Sequence, residues 1–229
     1  KNKINNLKID FKLICFPKKL INNEKIKFSK ININVTNFFC TSYVKTLSYL
    51  RELNIKKVSF LEIGLNRSSF IFFENNKLKY IRTIPIGGNF ITKDISKIFK
   101  ITLEEAEKLK KSFNSSETEF SYENNSDDNQ RSVKEILNKK ISLNLLKKVI
   151  LYRIQEIIDL TFKKSKIEFY KLDIKDTELF LIGDGSLIFS NNSFHLNDEL
   201  QFKNLNHYNE LDNQICYAGL VHFLNKYEI

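Results

Sequence analysis

The chain has 229 residues, 42% hydrophobic and 28% charged, with a formal net charge of +10. That length holds one large domain or two small ones, and that balance excludes a collagen, a coiled coil or a wholly disordered chain. The bias toward Lys, Asn, Ile and Phe, without Trp or Met, is the mark of an AT-rich genome; Lys scattered through every segment reads as a solvated surface, not as a site for specific nucleic acid.

In chain order, Leu7 to Phe16 alternates as a strand and stops at Pro17. A second strand is expected around Ile31 to Phe38. Thr41 to Leu53 reads as a helix, with Tyr43, Leu47, Leu50 and Leu53 at helical spacing. Three apolar strands follow, Val58–Ile63, Ser69–Glu74 and Leu78–Ile84, the last two joined by an Asn75–Asn76 hairpin turn. After Gly87–Gly88 the period becomes helical: Phe90, Ile91, Ile95, Ile98 and Phe99 fall on one face. Thr102 is placed to cap the next helix, with Glu105 completing a capping box. Ser112 to Ser132 is a polar excursion without periodicity. The strongest signal is a helix from Leu143 to Lys166, where Leu146, Val149, Ile150, Ile154, Ile157, Ile158 and Phe162 make one apolar stripe. Glu178–Ile182 reads as a buried strand ending in Gly183-Asp184-Gly185-Ser186. A last helix, Asn213 to Lys226, is expected to turn Ile215, Leu220, Phe223 and Leu224 inward. A strand meander followed by helices and a further strand predicts an α/β protein.

Cys15, Cys40 and Cys216 have no paired spacing and read as reduced thiols of a cytoplasmic protein. His195, His207 and His222 lack partners at zinc-ligand spacing. No apolar run reaches the roughly 18 residues of a membrane-spanning helix. Hydrolase motifs of the GxSxG and HExxH kind are absent. The chemistry-bearing candidates are turns and one charged pair. Glu62-Ile63-Gly64-Leu65-Asn66-Arg67-Ser68-Ser69 joins two strands; such a turn either wraps phosphate oxygens, with Glu62 holding a metal, or is an exposed hairpin. Gly183, Asp184, Gly185 and Ser186 form a strand-to-helix turn that can bring a ligand close to backbone. Glu107 and Lys110 are either ligand-facing or an ordinary i, i+3 surface pair.

Read together, these segments resemble the actin-like superfamily and, within it, the bacterial cell-division protein family FtsA. Residues 60–73 (FLEIGLNRSSFIFF) are similar to the family's second phosphate turn, where Asp-Ile-Gly-Gly-Gly-Thr is usual. Residues 81–96 (IRTIPIGGNFITKDIS) resemble its Ile-Pro-x-Gly-Gly-Asn-x-x-Thr-x-Asp-Ile-Ala run. Residues 104–110 (EEAEKLK) resemble its Ala-Glu-x-x-Lys helix, and 145–160 (LLKKVILYRIQEIIDL) its Arg-x-x-Glu helix, here Arg153 and Glu156. Residues 180–188 (FLIGDGSLI) resemble the adenosine turn and 216–224 (CYAGLVHFL) the returning helix. The Thr92-x-Asp94-Ile95 run and the Arg153-x-x-Glu156 helix favour FtsA over the pilus-assembly relative PilM.

The resemblance implies an actin-like (ribonuclease H-like) α/β fold, present as its C-terminal portion with a mixed sheet and flanking helices. It implies a division into 1–40, the end of an FtsA-specific 1C-like subdomain; 41–56, a linking helix of lobe I; 57–90, the lobe II sheet meander; 91–145, a helical insert of lobe II; 146–210, the nucleotide half of lobe II; and 211–229, a returning helix. It implies a parent chain that begins before Lys1. ATP with Mg2+ is the implied cofactor, held by Glu62, Gly64, Ser68, Ser69, Glu107, Lys110, Gly183, Asp184, Gly185 and Ser186, with Glu62 toward the metal. The implied role is a division-site scaffold at the inner face of the cell membrane. Its partners are FtsZ, other division proteins and copies of itself, with the membrane reached through an amphipathic helix beyond Ile229. The sequence departs from the pattern where Asp is Glu62, two glycines are Leu65 and Asn66, Thr is Arg67, and an adenosine-turn glycine is Asp184. These departures argue against an efficient ATPase; the alternatives to the FtsA-like scaffold are a PilM-like pilus-assembly scaffold and a nucleotide-free binding module on an actin fold. A kinase-like or chaperone-like ATPase would need the intact phosphate turn and catalytic acid that are not seen.

Overall fold

The computed structural model describes residues 13–112, 141–163, 172, 174, 177–189, 202–208 and 214–227. Two compact units divide the chain: Lys1–Arg51 with Asn213–Ile229, and Glu52–Asp212.

In the first unit, α1 spans Lys18–Ser29, α2 Thr41–Leu53 and, at the far end of the chain, α6 spans Gln214–Tyr227. The boundaries of α2 are those its spacing predicts, with Leu50 buried and Tyr43, Leu47 and Leu53 half-buried. His222 of α6 stands edge-on to the rings of Phe39 and Tyr43, with centroids 5.2 and 5.7 Å away. Three expectations fail here. No strand forms over Ile31–Phe38, which is a turn running into extended irregular chain. Residues 13–17 are irregular too, the rest of the expected first strand lying outside the described residues. Leu220 and Leu224 of α6 are exposed, not inward, and the side chain of Ile215 lies outside the described set. Helix α1, which the sequence did not announce, has no buried residue. Without a face to bury there is no apolar period to read.

The second unit holds a five-stranded sheet in the order β3-β2-β1-β4-β5. Strands β1 (Lys57–Ile63), β2 (Ser68–Glu74) and β3 (Lys77–Ile84) form an antiparallel meander, while β4 (Glu178–Ile182) and β5 (Asn204–His207) add parallel to β1. The β2–β3 turn is built by Asn75 and Asn76, both at positive φ (51° and 60°). That is the two-residue hairpin geometry whose twist matches its strands, and Asn tolerates it well.

Alternation along the strands sends Leu61, Ile63, Phe70, Phe72, Leu179 and Leu181 to one face. There they meet α3 (Gly88–Phe99), α4 (Leu103–Lys111) and α5 (Leu143–Ile158). The predicted α5 stripe is buried throughout, Ile150, Ile154 and Ile157 completely. Each such side chain contributes about 1.5–3 kcal/mol. The stripe ends in a π-helical turn, Asp159–Lys163, which carries Phe162 against Phe70 at 4.9 Å between centroids. On α3, Ile91 and Ile95 face this core, but Ile98 is exposed and leaves the face assigned to it. Thr102 caps α4 with the full capping box to Glu105. The opposite sheet face carries Phe60, with Phe73 edge-on to it at 6.3 Å between centroids and Phe180 tilted against it at 5.8 Å.

Candidate functional site

Strands β1 and β4 are parallel neighbours, with Glu62 opposite Ile182, so the turns that leave them start side by side. The first turn, Gly64 to Arg67, is closed by the Gly64 N–H donating to Arg67 O at 3.0 Å. The second, Gly183 into a 3-10 turn over Asp184–Phe189, is closed by the Ser186 N–H donating to Gly183 O at 2.8 Å. Gly183 sits at φ +83°, and a Cβ on it would lie 2.7 Å from Ile63 O. A Cβ on Gly185 would lie 2.6 Å from Ile63 Cγ2. These two glycines let the second turn press against the end of β1.

Helix α3 starts on the first turn. Its opening N–H groups, Gly88 and Asn89, donate to Gly64 O (2.9 Å) and Leu65 O (2.8 Å), which satisfies two of the donors every helix start leaves open. Asn89 Nδ2 donates to Asn66 Oδ1 at 3.0 Å, and Ser68 Oγ donates to Ile86 O at 2.7 Å. Gly87 is required for this docking, because a Cβ there would fall 2.3 Å from Gly64 O and 2.7 Å from Arg67 N. Gly87–Gly88, where the sequence turns from strand to helical period, is therefore a seat for α3 on the turn.

Lys110 reaches from α4 to the same place. Its ammonium donates to Glu107 Oε2 (2.6 Å), Thr92 Oγ1 (3.0 Å) and Gly88 O (3.4 Å). Thr92 Oγ1 in turn donates to Glu107 Oε2 at 2.6 Å. Burial alone would raise the Glu107 pKa, but the hydrogen bonds from Lys110 and Thr92, with the charges of Lys110 and Lys111, lower it below its ordinary value. Glu107 Oε2 is thus filled from inside the protein, while Oε1 faces Lys111 Nζ at 3.9 Å. Lys110, only 12% exposed, fixes Glu107 in place.

The segments converge on Gly88. A methyl placed there would lie 3.6 Å from Gly185 Cα, 3.7 Å from Lys110 Nζ and 3.8 Å from Gly64 O. Gly64, Glu107, Lys110, Gly183 and Gly185 are thereby brought together, with Ser186 buried just beyond and Asp184 exposed on the turn. Glu62 and Ser69 are cross-strand partners on the opposite sheet face from the helices, by alternation from Leu61 and Ile63. Ser69 Oγ shares a hydrogen bond with Thr83 Oγ1 at 2.9 Å. Among the described residues no three His, Cys, Asp or Glu side chains stand together as a metal-binding group.

Thr92 was not singled out as a site residue, yet it joins both members of the charged pair. Its signal was the spacing Gly88 to Thr92, one helical turn, which puts it above the helix start. The rest of that run also has a role. Asp94 accepts from Arg153 Nε at 2.6 Å, and Arg153 also bonds Glu156 and lies over the Phe90 ring. The hydrogen bond to Asp94 raises the Arg153 pKa, against burial and with the charges of Asp94 and Glu156. This ties α5 to α3.

A sheet of three antiparallel strands extended by two parallel ones, with helices on one face and two turns meeting a helix start, defines an actin-like (ribonuclease H-like) α/β fold. The sequence matches the family described as cell division protein FtsA over residues 60–216, more than half of the chain, and the chain belongs to that family. It is 43% identical over 54 residues to the cell division protein FtsA of Bacillus subtilis (strain 168), a stretch that covers 24% of this chain and 12% of that protein. Two crystal structures of MreB5 of Spiroplasma citri, bound to AMPPNP and to ADP, are similar at TM-scores of 0.55 and 0.56. Both are 14% identical to this chain and are matched over 92% of it and 66% and 67% of their own lengths. At that identity the likeness shows the fold. No helix among the described residues is long and apolar enough to cross a membrane.

Proposed function

We propose that this chain is part of a cell-division scaffold that takes an adenine nucleotide at the convergence on Gly88, assembles at the division site and links FtsZ to the membrane. The observation that carries the reading is the meeting of segments far apart in sequence, all inside the matched span: Gly64 O, Lys110 Nζ and Gly185 Cα each lie within 3.8 Å of the position a Cβ on Gly88 would take. Glu107 Oε1 offers a fixed carboxylate acceptor for ribose hydroxyls, and Lys110 and Thr92 position it. Gly183 to Ser186 bring backbone close beside it.

Titrating the whole protein with a fluorescent ATP analogue tests the ligand. Wild type binds, and Lys110→Met, which frees Glu107 from its place, weakens binding about tenfold. Equal binding by both proteins removes this cluster from the site. Co-sedimentation tests the scaffold: the protein pellets with its cognate FtsZ. Pelleting with anionic liposomes at physiological salt and no affinity for FtsZ makes it a polyanion-binding protein on an actin fold instead.

A second reading, a binding module without nucleotide, draws on the turn Gly64-Leu65-Asn66-Arg67, which lacks two of the glycines of the pattern it resembles. Absence of binding by every adenine ligand in the same titration selects it.

A further inference from the structure

The two halves of the expected ligand fare differently against the residues present. The adenosine half has a prepared partner in Glu107, held by Lys110 and Thr92. The metal-phosphate half does not. A turn grips a phosphate oxygen when successive N–H groups point at it, which αR–αL alternation provides. No residue from Gly64 to Arg67 has a positive φ. Where glycines would admit an oxygen close to backbone, Leu65 projects at 68% exposure and Asn66 is held across to Asn89. The start of α3, which can serve an anion, directs its Gly88 and Asn89 N–H groups to Gly64 O and Leu65 O. On the neighbouring turn Asp184 is exposed and repels phosphate. Glu62 lies on the sheet face away from Glu107 and Lys110, and no cluster of acids accompanies it among the described residues. Arg67 is the countervailing group, but an exposed cation is screened and adds little.

We infer that this site recognises adenosine and not the metal-bound phosphate chain: adenosine, ADP and ATP bind alike, with or without Mg2+. The inference rests on the adenosine reading above. Among the described residues the Leu65–Arg67 tip offers the phosphates no backbone cradle, and no cluster of acids stands there for Mg2+.

Calorimetric titration of the whole protein with adenosine, ADP and ATP, each with Mg2+ and with EDTA, tests this. The three affinities are expected within about tenfold of one another and indifferent to EDTA. Glu107→Gln weakens all three by a common factor, and Arg67→Gln changes ATP affinity no more than adenosine affinity. ATP with Mg2+ binding more than about a hundredfold tighter than adenosine, and losing that margin in EDTA, overturns the inference while leaving the adenosine site standing. A selective loss of ATP affinity in Arg67→Gln overturns it too, by placing the phosphates on that side chain. Binding of none of the three by a protein that still melts cooperatively overturns the inference and the adenosine reading together.

Discussion

The turns that leave β1 and β4 stand side by side, and both look in sequence like glycine turns that cradle a ligand. Their glycines answer to different causes. Gly183 and Gly185 are fixed by packing: one has a left-handed backbone, and a Cβ on either would strike Ile63 within 2.8 Å. Gly64 has an ordinary backbone, and its Cβ would find Arg67 O at 3.3 Å, a tight but yielding contact. The turn built for close approach uses it to pack against its neighbour strand. The turn that the resemblance assigns to phosphate has kept one glycine and lost the conformation that gives glycine its advantage there. A glycine in such a turn is therefore no sign of a ligand until the structure shows what its missing side chain makes room for.

Substitutions separate the two cases. Gly183→Val is expected to destabilise the protein by about 3 kcal/mol or more, combining left-handed strain with a backbone clash. Urea unfolding measures it. A loss of nucleotide affinity in this variant would therefore report damage to the fold and not closure of a pocket. Ser68→Ala, which leaves Ile86 O without its 2.7 Å donor, is expected to cost about 1–2 kcal/mol. Gly64→Ala should cost below about 1 kcal/mol, since Arg67 O need move only slightly. If Gly64→Ala proves as damaging as Gly183→Val, the contrast between the turns collapses.

Much of the fold was legible because its signals are local. The meander, α2, β4 and the Thr102–Glu105 box follow from alternation, helical period and capping chemistry, and the α5 stripe from a face buried along its length. Helix α1 was illegible because it buries nothing, and the Ile31–Phe38 strand was misread because β-branched residues there make no ladder. Leu220 and Ile98 show the same limit: spacing names a helix face, while only packing decides which members of it are covered. For the site, the sequence pointed to Glu107, Lys110 and the two turns, but by resemblance. That Thr92 bridges the pair, that Gly87 seats α3, and that Glu62 lies on the far sheet face depend on where distant segments meet, which no spacing records.

The smallest expected effect also divides the two regions, through pH. The Glu107 carboxylate is held below its ordinary pKa, near 4.5, by Lys110, Thr92 and Lys111 against the opposing pull of burial. A carboxylate whose pKa is lowered on folding stabilises the folded chain above its unfolded pKa, and that contribution is lost as pH falls through the folded value. Comparing the melting temperatures of wild type and Glu107→Gln should therefore show a gap that is full at neutral pH. The gap should shrink only once the pH passes below about 4.5. It should be modest throughout, because Glu107 is 34% exposed and its pairing is screened. Ser68→Ala supplies the contrast: its Oγ donates to a backbone carbonyl, which does not titrate, so its gap should stay level over the same range. A Glu107→Gln gap that stays level would mean that the carboxamide replaces the carboxylate fully and that charge does not hold α4 to α3. A gap that widens in acid would reverse the sign and place the stabilising form of Glu107 on the protonated side.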